Sequence, residues 1–337
     1  MMAGVNYRGA ARFGEVLARH LRLLRVDDYM DQRFYPPVGS SREEVAMYFL
    51  VMVALDHRLS RPGRPYEGVV DGELYHGADL LYRLGRKLLE EDPEFFTAER
   101  LSRITGDEVS SLFSASRPGG GVARPPDPQV RASLLRDLGR KLLSLYEGSA
   151  YRVIVESGGL LRRGVGEGFI DRLKVFTAYQ DPVEKKAFLL AKFLERRGVL
   201  PIGDPHNKEV PVDNHLARIA VRTGIVRVSP EILERIAAGI ELQPWEDVLI
   251  RTAARLAYKT AARTGGIDPF VMDDLLWQFG RKCCTRDSPT CRTECRTGCM
   301  EIGGCRDGRC IFEDICLARR DPRYMVNEHK FIETWWY

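Results

Sequence analysis

The residues of this chain best suited to chemistry are its eight cysteines, all of which lie between Cys283 and Cys316. A disulfide framework is normally spread through a small secreted domain, whereas thiols gathered in one short segment indicate a metal site. A four-iron cluster needs four thiolates on a loop that can wrap a compact cube, and zinc accepts the same ligands. The spacing alone therefore predicts a metal-binding loop and leaves iron–sulfur and zinc open.

Two pairs of cysteines bracket this segment. Cys284 and Cys291 are separated by six residues, and Cys310 and Cys316 by five. Four further cysteines lie beside or between these pairs, and the spacing gives them no role: Cys283, Cys295, Cys299 and Cys305.

The carboxylate that stands out is Asp213, in the segment VPVDNHLARIAVRTGI. It follows a proline-containing extended stretch and precedes an amphipathic helical pattern, so it is predicted at a helix start. An aspartate there ordinarily accepts a hydrogen bond from a free backbone N–H as the N-cap. Capping does not prevent a carboxylate from also acting in catalysis.

A second candidate, Lys186, lies in the segment 178–198, which is predicted as a hairpin made of a turn, a cap and a helix. Asp181 is expected as its N-cap, with Glu184 closing a capping box. An amine beside a helix start and a second cation, Lys185, is disfavoured as ammonium, and a neutral amine is a nucleophile. The alternative is an ordinary solvated lysine.

The motifs FGRKCCTRDSPTC and CIFEDIC resemble the iron–sulfur loop of endonuclease III-like DNA glycosylases of the helix-hairpin-helix superfamily. The resemblance implies a [4Fe-4S] cluster, with zinc as the alternative metal. This chain has a long insertion after Cys291, so Cys295 competes with Cys310 as third ligand, and flanking sequence favours Cys310. The implied ligands are Cys284, Cys291, Cys310 and Cys316.

The segment around Asp213 resembles the part of that family which carries its catalytic aspartate. The resemblance implies that Asp213 stabilises positive charge on the sugar as the base leaves. Lys186 aligns with the lysine of glycosylases that also cut the strand. The hairpin of the family is rich in glycine, but AYQDPV contains none, so phosphate binding by this turn is doubtful.

Apolar periodicity predicts an almost wholly α-helical chain with a loop at 116–128. The resemblance implies two helical domains with a cleft between them. It assigns 1–40 to an N-terminal helix joining the C-terminal domain, 41–206 to a helical barrel-like domain, and 207–337 to the catalytic aspartate and iron–sulfur loop. Helices are predicted at 41–58, 78–91, 97–114, 129–147, 230–239, 244–263 and 268–280.

Composition is compatible with a nucleic-acid partner but does not require one. The net charge is +4 and the pI is about 8.6. No apolar stretch reaches the length of a membrane span, and residues 1–24 place arginines among apolar residues at helical spacing, unlike a signal peptide. A monomeric cytoplasmic protein is expected.

Taken together, these features predict a DNA glycosylase that removes a damaged base from double-stranded DNA in base excision repair, with or without AP lyase activity. One alternative is an N-glycosidase of the same fold acting on a modified nucleoside or nucleotide, which the missing glycines favour. Another is a non-catalytic iron–sulfur protein that binds nucleic acid, against which Asp213 argues.

Overall fold

The computed structural model describes residues 2–22, 27–60 and 63–337, and within these ranges the chain is mainly helical, which confirms the predicted all-α class. No helix in these ranges is long and apolar enough to cross a membrane. The α-helices are α1 (Tyr7–His20), α2 (Arg42–Leu55), α3 (Ala78–Glu91), α4 (Ala98–Leu101), α5 (Gly106–Leu112), α6 (Pro128–Tyr146), α7 (Ala150–Glu156), α8 (Phe169–Leu173), α9 (Lys185–Arg196), α10 (Asn214–Thr223), α11 (Pro230–Ala237), α12 (Pro244–Gly265), α13 (Pro269–Lys282), α14 (Thr297–Glu301) and α15 (Leu317–Arg320).

Short antiparallel strands accompany the helices. The strands are β1 (Ala3–Val5), β2 (Glu67–Val70), β3 (Glu73–His76), β4 (Ala115–Ser116), β5 (Val122–Ala123), β6 (Val226–Val228), β7 (Cys305–Arg306) and β8 (Arg309–Cys310). β1 pairs with β6, β7 pairs with β8, and the other four form a sheet in the order β3-β2-β4-β5. The segment predicted as a loop at 116–128 therefore contributes to a small sheet.

Most predicted helices are confirmed to within a few residues, but the one predicted at 97–114 is broken into α4 and α5. The break has a local cause. The Thr105 side chain accepts a hydrogen bond from Glu108 N, and the Glu108 carboxylate accepts one from Thr105 N, so a capping box starts a new helix there. Residues 1, 23 and 24 of the predicted N-terminal helical pattern lie outside the described residues.

The chain divides into two compact units, one formed by Met1–Val26 with Lys208–Glu333 and the other by Asp27–Asn207 with Thr334–Tyr337. In the first unit, α1 packs closely against α12. A Cβ on Gly14 would lie 2.1 Å from the carbonyl oxygen of Ala261, so the approach of these helices requires glycine.

In the second unit, α2 is the central helix. Every residue from Val45 to Leu55 is buried, as its unbroken apolar sequence predicts. Ser41 caps this helix by accepting a hydrogen bond from Glu44 N. The tail belongs to this unit as well, where the Trp335 indole N–H donates to the carbonyl of Thr177 at 3.1 Å.

Candidate functional site

Asp213 is the N-cap of α10, as the sequence predicts. Its Oδ1 accepts a hydrogen bond from Leu216 N at 2.8 Å. Among the described residues, Oδ2 accepts no hydrogen bond, and the residue is partly exposed. One carboxylate oxygen is therefore used for capping while the other is available to a ligand.

Two buried side chains of α12 hold the start of α10 in place. The Tyr258 hydroxyl donates to the carbonyl of Leu216 at 2.7 Å. The Arg251 guanidinium approaches the carbonyl of Val212 at 3.4 Å and forms a fully buried ion pair with Asp247. The backbone is thus fixed on both sides of Asp213.

Two arginines on α10, Arg218 and Arg222, are almost completely buried, an environment that the sequence analysis missed. Arg222 donates to the carbonyls of Thr285 and Arg286, both at 2.7 Å, and its Nη1 lies 3.6 Å from Cys284 Sγ. Arg218 donates to the carbonyl of Cys284 at 2.9 Å. The signal in the sequence was two arginines four residues apart in the largely apolar stretch LARIAVR, a spacing that places both on one face.

A basic cavity of about 360 Å³ lies next to this helix. Four arginines line it together with His215, and its acidic residues are Asp287 and Glu328. Arg296 donates to the hydroxyl and carbonyl of Ser288, which orders one side. The four arginines are Arg218, Arg281, Arg286 and Arg296.

Within this cavity, Glu328 joins His215 and Arg218. His215 Nδ1 lies 3.6 Å from Glu328 Oε1, and Arg218 forms an ion pair with the same oxygen. Burial alone would raise the pKa of Glu328, but the His215 hydrogen bond and the Arg218 charge lower it. A Cβ on Gly280 would lie 1.9 Å from His215 Nε2, so a glycine at 280 leaves room for the ring.

The cysteines separate into two groups of four. The thiols predicted as ligands are free, and all four line one narrow cavity with Phe279 and Phe312. Burial is the main cause that raises the pKa of the Cys316 thiol to about 12, and it raises that of Cys310 further. The free cysteines are Cys284, Cys291, Cys310 and Cys316.

The cysteines left without a role by the sequence form two disulfides, Cys283–Cys299 and Cys295–Cys305. Cys295, Cys299 and Cys305 lie in the segment inserted between Cys291 and Cys310, whereas Cys283 directly precedes Cys284. With these disulfides formed, no three His, Cys, Asp or Glu side chains of the described residues are placed to hold a single metal ion.

Lys186 lies in the second unit and is completely buried, so it is not the solvated lysine of the alternative interpretation. Its ammonium nitrogen donates to the carbonyl of Ala54 at 2.6 Å and lies 3.2 Å from His57 Nδ1. Burial, followed by the charges of Lys185 and Arg131, lowers the pKa of Lys186 well below its ordinary value.

The helix that carries Lys186 begins later than predicted, because the expected capping box does not form. Asp181 accepts hydrogen bonds from Val183 N and Lys185 N, both at 3.0 Å, in a turn that precedes the helix. Glu184 is the N-cap residue in a left-handed conformation, and its carboxylate pairs with Arg162 and with other cations. Long-range ion pairing has replaced the local cap.

No family model and no curated protein matches this sequence. Among solved structures, the chain is similar to one described as a trapped endonuclease III–DNA covalent intermediate, an estranged-adenine complex. The two are 14% identical with a TM-score of 0.45, and the alignment covers 88% of this chain and 99% of that chain. A similarity of this extent assigns neither a family nor a reaction.

Proposed function

We propose that this protein is a DNA glycosylase that cleaves the N-glycosidic bond of a damaged base, with Asp213 as its catalytic carboxylate. The observation that carries the proposal is the position of α10. Asp213 caps this helix and keeps one carboxylate oxygen free, and two residues of the same helix, His215 and Arg218, line the arginine-rich cavity. One helix, α10, therefore holds both a carboxylate that can stabilise developing positive charge and residues of a cavity suited to phosphate.

The chemistry expected of Asp213 follows from the reaction. Rupture of an N-glycosidic bond gives an oxocarbenium-like sugar, which a fixed carboxylate stabilises electrostatically. Because Tyr258 and Arg251 hold the backbone on either side of Asp213, little reorganisation is needed as charge develops. The same carboxylate is suited to orienting the attacking nucleophile.

The arginine-lined cavity supports a nucleic-acid substrate. Guanidinium groups bind phosphate oxygens in a bidentate manner, and phosphate contacts position a protein on DNA. Of its four arginines, Arg281 and Arg286 are exposed; Arg218 forms an ion pair with Glu328, and Arg286 lies 3.6 Å from the exposed carboxylate of Asp287. We infer that backbone phosphates of the substrate strand bind here.

The four free thiols support a structural iron–sulfur cluster. In such a cluster each thiolate binds a different iron, so the sulfurs need not converge on one point as they must for zinc. Cys284, Cys291, Cys310 and Cys316 would hold it, and a bound metal would favour thiolate and so oppose the burial that raises the pKa values of Cys291, Cys310 and Cys316. When bound, the group would supply folding free energy and order the basic loop, not the chemistry of base release.

Strand cleavage through Lys186 is a further activity that one observation favours. The lowered pKa of this lysine favours the neutral amine, which is the form that attacks C1′. Its complete burial means that the surrounding segment must open first. Borohydride should then trap a protein–DNA adduct that is absent in Lys186→Ala and retained in Lys185→Ala; base release without any adduct would indicate a water nucleophile.

The test of the proposed function is base release from a panel of lesion-containing duplexes and modified nucleotides. Asp213→Asn keeps the cap, because asparagine also accepts the N–H bond, but should lower the rate by about 10²–10³-fold. Asp268→Asn is the matched control, since Asp268 caps α13 in the same unit. Equal rates in both variants would leave Asp213 as a cap alone, and activity confined to free nucleotides would favour the nucleotide N-glycosidase.

A further inference from the structure

The two disulfides of the insertion touch each other. Cys299 Sγ lies 3.5 Å from Cys305 Sγ, although these atoms belong to different disulfides. The sulfurs of Cys283, Cys299, Cys305 and Cys295 therefore form one continuous group of four. Two disulfides that served only as independent cross-links of the chain would not need to be in contact.

Three different elements bring these sulfurs together. Cys283 ends α13, Cys299 lies in α14, and Cys305 lies on β7. A Cβ on Gly304 would lie 2.3 Å from Cys283 Sγ and 2.9 Å from Cys299 Sγ. Glycine at this position thus leaves space that the sulfurs occupy.

We propose that these four cysteines are a second metal site, which binds one Zn²⁺ when they are reduced, and that the disulfides are its metal-free oxidised form. Sulfurs at about 2.3 Å from a tetrahedral zinc ion lie roughly 3.8 Å apart, close to the separation of Cys299 and Cys305. The three residues between Cys295 and Cys299 match the short spacing of structural zinc ligands.

Conversion of the two disulfides into four thiols requires a reductant, and a dithiol supplies the electrons and protons. Each protein disulfide takes up two electrons and two protons, and the dithiol that supplies them becomes a disulfide. Two dithiols therefore free four thiols. Zinc binding then releases the four protons, because the thiolates are the ligands.

The site borders the group of free thiols at two points. Cys283 directly precedes Cys284, and Cys305 lies opposite Cys310 in the β7–β8 hairpin. Exchange between the zinc-bound and disulfide forms would therefore move the backbone that positions two of the free thiols. This inference rests on the sulfur positions and not on the reaction proposed for Asp213.

The test measures metal and thiols in the whole protein before and after treatment with a dithiol. Co²⁺ is the probe, because thiolate-to-cobalt absorption reports sulfur ligands, and Zn²⁺ should displace it. Reduction should add one equivalent of tightly bound metal per chain. Alkylation of the denatured, metal-stripped chain should then modify four more cysteines after reduction than before.

The double variant Cys295→Ser/Cys305→Ser should lose that additional equivalent and keep whatever metal the free thiols hold. The matched variant Cys284→Ser/Cys316→Ser should keep the additional equivalent. Four further alkylated cysteines without additional metal in the native protein would overturn the proposal and leave two plain disulfides. Because this comparison needs only the native chain, it stands even if a variant fails to fold, and base release is not part of its readout.

Discussion

Replacement of Lys186 by methionine tests whether the buried amine is neutral. The unfolded chain holds this lysine protonated up to its ordinary pKa of about 10.4. In the folded protein the pKa is well below that value, chiefly because the side chain is completely buried. Between the two pKa values the unfolded state binds one more proton, so the free energy of unfolding rises with pH.

The magnitude follows from proton linkage. One proton difference corresponds to about 1.4 kcal/mol per pH unit, so between the lowered and the ordinary pKa the stability of the native protein relative to Lys186→Met should rise with pH at up to that slope. The rise should level off near the ordinary pKa. Methionine removes the titrating group while filling most of the same space, so the variant lacks this contribution.

The assay is urea unfolding of both proteins over that pH range. Lys87→Met is the control, because the Lys87 side chain is partly exposed and its ion pair with Glu91, at 3.7 Å, lies on the surface. Its curve should parallel that of the native protein. Parallel curves for the native protein and Lys186→Met would refute the neutral amine and with it the physical basis for a nucleophilic lysine.

Four further changes have expected outcomes. Cys284→Ser should abolish iron and acid-labile sulfide, measured by elemental and sulfide analysis, and zinc in the native protein instead would reverse the metal assignment. Arg286→Gln should lower the slope of DNA affinity against salt by about one, measured by anisotropy; an unchanged slope would remove Arg286 from the phosphate site. Asp247→Asn should destabilise the fold by about 3–5 kcal/mol in urea unfolding, because the carboxylate that pairs with both Arg251 and His329 loses its charge in a buried site. Gly14→Ala should cost about 1–3 kcal/mol in the same measurement, and an unchanged midpoint would mean that α1 and α12 separate easily.

The sequence by itself determined the features that depend on local hydrogen bonds. Asp213 was predicted as an N-cap and is one, since a cap needs only a carboxylate and the N–H groups that follow it. The start of α2 followed in the same way from Ser41 and the apolar run behind it. Such features are encoded within a few residues and survive whatever packs around them.

Tertiary structure alone decided how distant side chains combine. The capping box expected at Asp181 does not form, because the Glu184 carboxylate pairs with Arg162 instead. Lys186 is buried because α2 packs over it. The arginine-lined cavity could not be predicted from the sequence either, since Arg218 and Arg296 line one cavity only when α10 packs beside the cysteine segment. These outcomes depend on burial and on partners far away in the sequence, which periodicity and spacing do not contain.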